Sequence, residues 1–178
     1  NTGYVQIEPL HVVTSIEEAG NGKYRVHANQ IDERGAVIAK KTYVCRYLFL
    51  AAGSVGTTEL LVRAKATGKL PRLNNTVGKF WGTNGDSNTV MVNGTLTNIN
   101  LGSPGVIAVR DFSNDDAPVL LETFQALALP QGLIAVLGLA ITRPEGQFSY
   151  NPATDSVDLN WPANSAENTR ISKALTDV

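Results

Sequence analysis

The sequence predicts an α+β fold built in two parts, and three observations carry that prediction. The first fifty residues are strand-rich, with apolar and polar residues alternating with a period of two over Tyr24 to Asn29. A continuously apolar run, Tyr47 to Ala52, is then followed by glycines and by apolar residues at helical spacing. Beyond residue 72 the chain changes to short apolar runs separated by Asn, Gly, Ser and Pro, the pattern of an antiparallel sheet. The division falls near Val77 to Gly85, giving one domain over 1–80 and a second over 81–178.

In the first part, Tyr4, Val5, Ile7 and Leu10 to Val13 lead into Ile16, and the polar cluster Glu18 to Lys23 supplies a turn. Tyr24, Val26 and Ala28 alternate with Arg25, His27 and Asn29, as in a half-buried strand. A turn at Asp32 to Gly35 precedes a third strand from Ala36 towards Cys45, which completes a small meander. Tyr47 to Ala52 reads as a strand covered on both faces. Gly53 and Gly56 turn the chain, and Thr57 or Thr58 caps a helix over Glu59 to Lys69, which ends near Gly68 with Pro71 beyond it.

The second part offers strands at Thr89 to Val92, Gly105 to Arg110, Pro118 to Leu129, Leu133 to Thr142, Gln147 to Tyr150 and Val157 to Trp161. Asn151 to Asp155 reads as the hairpin turn between the last two. Ser165 to Val178 opens as a helix with Ile171, Ala174 and Leu175 on one face, and the chain is expected to stop inside it.

Composition narrows the function. The chain has 178 residues, 43% of them hydrophobic and 17% charged, as expected of a folded globular protein. A net charge of −1 gives no electrostatic footprint for nucleic acid. The single cysteine, Cys45, excludes an internal disulfide and a thiolate metal cluster, and it reads as a structural thiol in a strand. No metal site is expected, because His11 has no second histidine or carboxylate at ligand spacing. No apolar run reaches the roughly 18 residues of a membrane span.

Three places carry candidate chemistry. The strand-to-helix turn at Gly53 is of the kind that brings backbone N–H groups to a phosphate, although a glycine after a strand also serves simply to make the turn. Glu122 follows Val119, Leu120 and Leu121 and precedes Phe124, the most apolar neighbourhood of any carboxylate in the chain. A carboxylate in such surroundings suits proton transfer near neutral pH if it points inward, whereas an ordinary strand would turn it to solvent. Trp81-Gly82-Thr83-Asn84-Gly85-Asp86 pairs glycines, which allow close backbone approach to a flat ligand, with the donor and acceptor of Asn84; a plain turn is the alternative.

The ordered set "IEPLHVV", "CRYLFLAAGSVGTTELLVRAKATGKLP", "VGKFWGTNGD", "LAIT" and "FSYNPATDSVDLNW" resembles the middle of the bacterial cholesterol oxidases, in the glucose–methanol–choline branch of flavin oxidoreductases. The resemblance covers nearly the whole chain. It is strong over Tyr43 to Gly85 and Leu139 to Trp161, and loose over Val90 to Ala117. It implies an internal segment of a larger flavoprotein, with the dinucleotide fingerprint upstream and the catalytic histidine and asparagine downstream. It further implies FAD as cofactor, with the Val13 backbone against the adenine and Gly53 near the phosphates. Glu122 would be the active-site base that moves a proton as the ring double bond isomerises. Asn84, Phe124 and Leu127 would contact substrate, and Leu129, Leu133 and Leu137 would join the apolar lining. The implied partners are a sterol, O2 and the rest of the flavoenzyme chain, with peripheral membrane contact to extract the sterol. The implied setting is a secreted or cell-surface bacterial enzyme. The loop after Glu122, Gln125 to Gln131, departs from the family in length and composition, which leaves open another bulky alcohol as substrate. A non-catalytic module for an apolar ligand is the reading from another class.

Overall fold

In the computed structural model, residues 3–92, 107–124, 130 and 132–178 are described. In chain order the elements are β1 (His11–Gly20), β2 (Lys23–Ile31), β3 (Val37–Cys45), α1 (Gly53–Ala66), β4 (Lys79–Trp81), β5 (Ser87–Val92), β6 (Ala108–Asp111), β7 (Val119–Phe124), β8 (Leu133–Ala140), β9 (Gly146–Asn151), β10 (Ser156–Asn160) and α2 (Ala166–Thr176). The fold is mixed, with three antiparallel sheets and two helices, an α+β arrangement in the coarse sense. The sheets run β1-β2-β3, β10-β9-β4 and β5-β8-β7-β6. No helix among the described residues is long and apolar enough to cross a membrane. The chain forms two compact units, one of 1–79 with Gln147–Asn160, the other of Phe80–Gly146 with Trp161–Val178. The hairpin that the sequence reading places in the C-terminal domain therefore clusters with the first unit.

In the first unit, β1 and β2 join through a two-residue loop, Asn21-Gly22, with both residues at positive φ (51° and 67°). That is the backbone of the type I′ turn, whose twist matches the flanking strands. Asp32 closes the next turn by accepting from the Arg34 and Ala36 N–H groups at 2.9 and 2.8 Å. Ile16, Ala64 and Leu70 form the buried centre, surrounded by Tyr24, Val26, Leu48, Leu50, Leu60, Leu61 and Leu73. Arg63 of α1 donates to Thr14 O at 3.4 Å and to Asp155 O at 2.5 Å, tying the helix to β1 and to the β9–β10 turn.

Two expectations change here. Tyr47–Ala52 is not a strand: Leu48 and Leu50 pack on the core, but the segment joins no ladder among the described residues. Its apolar sequence asks for cover on two faces, and it has cover on one. Helix α1 also starts at Gly53, six residues before the expected Glu59. Thr57 therefore lies inside the helix and accepts the Ala52 N–H at 3.0 Å, while Thr58 donates back to Ser54 O at 2.6 Å. The far end closes as a Schellman motif, with Gly68 at φ 71°, Lys69 N–H on Ala64 O at 2.8 Å and Gly68 N–H on Lys65 O at 3.0 Å.

In the second unit, α2 packs on one face of the sheet β5-β8-β7-β6. Val119, Ile171 and Leu175 are buried together, with Leu121, Ala140 and Ala174 against them. Ser165 caps the helix by accepting Asn168 N–H at 3.2 Å. The helix ends at Thr176 with Asp177 as its C-cap, rather than running to the last residue.

Candidate functional site

Register decides which side chains share a face, because residues directly opposite in an antiparallel ladder project together. Val119, Leu121 and Thr123 of β7 stand opposite Ala140, Gly138 and Val136 of β8, and this is the face that packs on α2. A Cβ built on Gly138 would lie 2.7 Å from Leu175 Cδ2, so glycine there lets the helix seat closely. Leu120, Glu122 and Phe124 alternate to the other face, opposite Leu139, Leu137 and Ala135. Val90 and Val92 of β5 and Leu133 of β8 join them, with Ala108 and Arg110 of β6 at the far edge.

Glu122 is thus the one carboxylate on this face among the described residues, half-buried, in a central strand between β6 and β8. Its side chain makes no hydrogen bond or ion pair to another described residue. Its lateral neighbours are Ala108 and Leu137, and the basic residue of the face, Arg110, stands diagonally, opposite Leu120. Helix α2 packs on the opposite face; on the Glu122 face Ala135 is buried and Leu120, Leu133, Leu137 and Leu139 are half-buried. Of the expected lining, Leu133 and Leu137 share the face with Glu122, and Phe124 occupies a position on it, although its side chain is not described. Leu127 and Leu129 lie outside the described residues. Asn88 sits opposite Leu137 and belongs to the same surface. It was legible only as a polar residue in phase with Val90 and Val92.

Asn84 is placed elsewhere in this unit. Asn84 and Gly85 both have positive φ (63° and 69°), and a Cβ on Gly85 would collide with the Ala140 backbone at the end of β8. The Asn84 amide donates to Asp86 Oδ1 at 3.4 Å. The turn therefore holds backbone close to the sheet end, three residues along β8 from Leu137.

In the first unit, Gly53 takes φ 73° with open space around its missing side chain, so the turn selects glycine for its backbone angle and not for room. Helix α1 has no side-chain N-cap and no acidic residue in its first turn, and Gly53 to Val55 are exposed. No side chain caps its first N–H groups, which helix geometry leaves without partners inside the helix. Val13 lies on β1, an edge strand, 39% exposed, and α1 packs against that strand. Val13 on the β1 edge and the Gly53 turn lie in the same unit, and contacts of β1 with α1 run through Arg63 and Ala64.

The remaining polar clusters are structural. Glu17 accepts from Arg25 at 2.5 Å and lies 3.3 Å from His27 Nε2; hydrogen bonds from both hold its carboxyl below the usual range. Glu167 accepts from Arg170 at 2.9 and 3.1 Å and from the Arg143 N–H at 2.9 Å, and these contacts draw it down to about 2. Arg170 also donates to Asp116 O and to Ile141 O, so the pair clamps α2 to the exit of β8 and to the loop before β7. His11 lies 2.6 Å from Pro9 O through Nδ1, with its ring edge-on to Tyr43. Cys45 is a free, half-buried thiol at the end of β3. No cluster of three metal-ligating side chains occurs among the described residues. No model of a known protein family matches the chain.

Proposed function

We propose that this chain is an internal segment of an FAD-dependent sterol oxidase, one that converts a 3β-hydroxysteroid and O2 to the ketone and hydrogen peroxide and then isomerises the ring double bond. The observation that carries this reading is the position of Glu122: the one carboxylate among the described residues of a sheet face made mostly of leucine, valine and alanine, with Arg110 and Asn88 towards its edges. A rigid, nearly flat apolar molecule suits such a face, and a carboxylate with no hydrogen-bond partner among the described residues can take and return a proton at one carbon of it. Glu122 is the base in this scheme, and Leu120, Leu133, Leu137 and Leu139 exclude water and orient the ring system.

The flavin, when bound, accepts the hydride from the substrate carbinol carbon and passes the electrons to O2. This chain would hold only part of it, with the Val13 backbone beside the adenine and the Gly53 turn beside the phosphates. Asn84 would contact substrate by the resemblance; its turn lies at the end of β8, against Ala140 on the α2 side of the sheet. The sequence resemblance supports the same assignment, from "LFLAAGSVGTTELL" through "WGTNGD" to "FSYNPATDSVDLNW".

The test is spectroscopic and genetic. The isolated chain is expected to carry no flavin and to oxidise no sterol. The reading frame around it is expected to hold a G-x-G-x-x-G upstream and a histidine-bearing motif downstream. Stoichiometric flavin absorbance from the isolated chain, or a flanking frame without those motifs, overturns the assignment. Sterol binding by the isolated chain, with no oxidase activity in the complete protein, supports a non-catalytic apolar-ligand module instead. Activity of the complete protein on other bulky alcohols but not on sterols shifts the substrate class.

A further inference from the structure

Asn-Gly occurs at Asn21-Gly22, Asn84-Gly85 and Asn93-Gly94, and the third pair lies outside the described residues. In such a pair the glycine nitrogen can attack the asparagine amide carbon, because no side chain on the glycine obstructs it. The peptide plane between the two residues must first turn that nitrogen towards the asparagine side chain. Asn21 and Gly22 are the exposed tip of the β1–β2 hairpin, and nothing lies within 4 Å of where a Gly22 Cβ would stand. The Asn21 amide makes no hydrogen bond to another described residue. Glycine takes either sign of φ, so this peptide plane can flip between the type I′ and type II′ arrangements without a steric barrier from a side chain. Asn84-Gly85 is held instead. The Asn84 amide donates to Asp86 Oδ1 at 3.4 Å, and Gly85 is buried where a Cβ would collide with the Ala140 backbone.

We infer that Asn21 is a site of spontaneous covalent modification, passing through a succinimide to isoaspartate and aspartate. The Gly22 nitrogen bonds to Asn21 Cγ, the Cγ–Nδ2 bond breaks, and the amide nitrogen leaves as ammonia with the proton given up by Gly22. Water then opens the ring at either carbonyl. Opening at the main-chain carbonyl routes the backbone through the side-chain carbon and leaves a free α-carboxylate. That carboxylate is the group that an isoaspartyl methyltransferase esterifies with the methyl of S-adenosylmethionine. The loop then holds one more backbone carbon and one more negative charge. It no longer has the length of a two-residue type I′ turn, which loosens the pairing of β1 with β2.

The test is incubation of the 178-residue chain at mildly alkaline pH, followed by peptide mapping with mass spectrometry and by enzymatic methylation of isoaspartate. In the folded chain Asn21 is expected to convert about tenfold faster than Asn84, whose peptide plane is pinned, and in urea the two should convert alike. Gly22→Ala, which crowds the attacking nitrogen and resists the flip, should slow Asn21 by about tenfold and leave Asn84 unchanged. Asn21→Gln, whose ring would need a sixth member, should yield no product at this position. Folding of each variant is checked by circular dichroism, and the comparison of Asn21 with Asn84 in the unaltered chain stands without them. Equal rates at the two sites in the folded chain, an Asn21 that converts only in urea, or an Asn21 rate untouched by Gly22→Ala overturns the inference.

Discussion

Glu122 and Leu137 face each other directly across the β7–β8 ladder, on the side of the sheet away from α2. The pairing of a carboxylate with a leucine in two central strands sets the polarity of that surface. A second carboxylate in place of the leucine would stand opposite Glu122, where like charges repel. Leu137→Asp is therefore expected to lower the stability of the chain at neutral pH by about 2–4 kcal/mol, combining repulsion with lost apolar contact. Leu137→Asn removes the apolar contact without the charge. The difference between the two variants in a urea denaturation series should shrink as the pH falls far enough to protonate carboxylates. An unchanging difference would place the two side chains on separate faces.

How far this surface was legible in the sequence depends on which residues made it. The strand at Val119 and the apolar run from Leu133 were visible as patterns, and so was the isolation of Glu122 among aliphatic neighbours. Which face Glu122 takes was not, because a central strand apolar on both sides gives no alternation to read. Register resolves that, through Gly138 and Leu175. Local rules failed where tertiary partners decide: Tyr47–Ala52 has the composition of a doubly covered strand but no ladder among the described residues, and α1 begins at Gly53 because the backbone there accepts positive φ, not at a threonine cap. The Asn21-Gly22 turn carries its own backbone requirement, and it was legible as a turn from the start.

Gly138 is held by the helix above it. A Cβ at this position would lie 2.7 Å from Leu175 Cδ2 and 3.0 Å from its Cδ1. Gly138→Ala should cost about 1–3 kcal/mol, as overpacking does. Because the clash is with the end of a flexible side chain, Gly138→Ala in a Leu175→Ala background should cost less than in the parent. A double-mutant cycle by thermal or urea unfolding measures the coupling, and additive costs would show that α2 does not rest on Gly138 as described.

Acid should loosen the second unit through Glu167. Its carboxyl is lowered from 4.5 to about 2 by hydrogen bonds from Arg170 and from the Arg143 N–H. A lowered folded-state value contributes stability that is fully present above pH 4.5 and lost as the pH falls towards 2. The Glu167 side chain is 11% exposed and Arg170 35%, so solvent screens part of the interaction. Glu167→Gln is expected to cost about 2 kcal/mol at neutral pH and to flatten the stability profile over that acid window. A variant whose profile falls as steeply as the parent's would mean that the acid sensitivity arises elsewhere.

The segment after β3 is expected to govern how the chain behaves in solution. Tyr47 and Phe49 are 73% and 90% exposed, whereas Leu48 and Leu50 between and after them pack against Ile16, Ala64 and Leu70. Nearby, Val37, Ile38 and Val44 of β3 add 53%, 61% and 57% exposed apolar side chains. An apolar segment that joins no ladder among the described residues and exposes one face is a template for association. The chain is expected to self-associate with rising concentration, read by sedimentation velocity. Phe49→Lys should shift it towards monomer without loss of secondary structure, because that side chain meets solvent. Leu50→Lys should instead unfold the first unit, since it drives a charge into the core beside Leu48 and Leu61. A monodisperse parent at high concentration, or equal effects of the two lysines, would contradict the alternation of this segment between core and solvent.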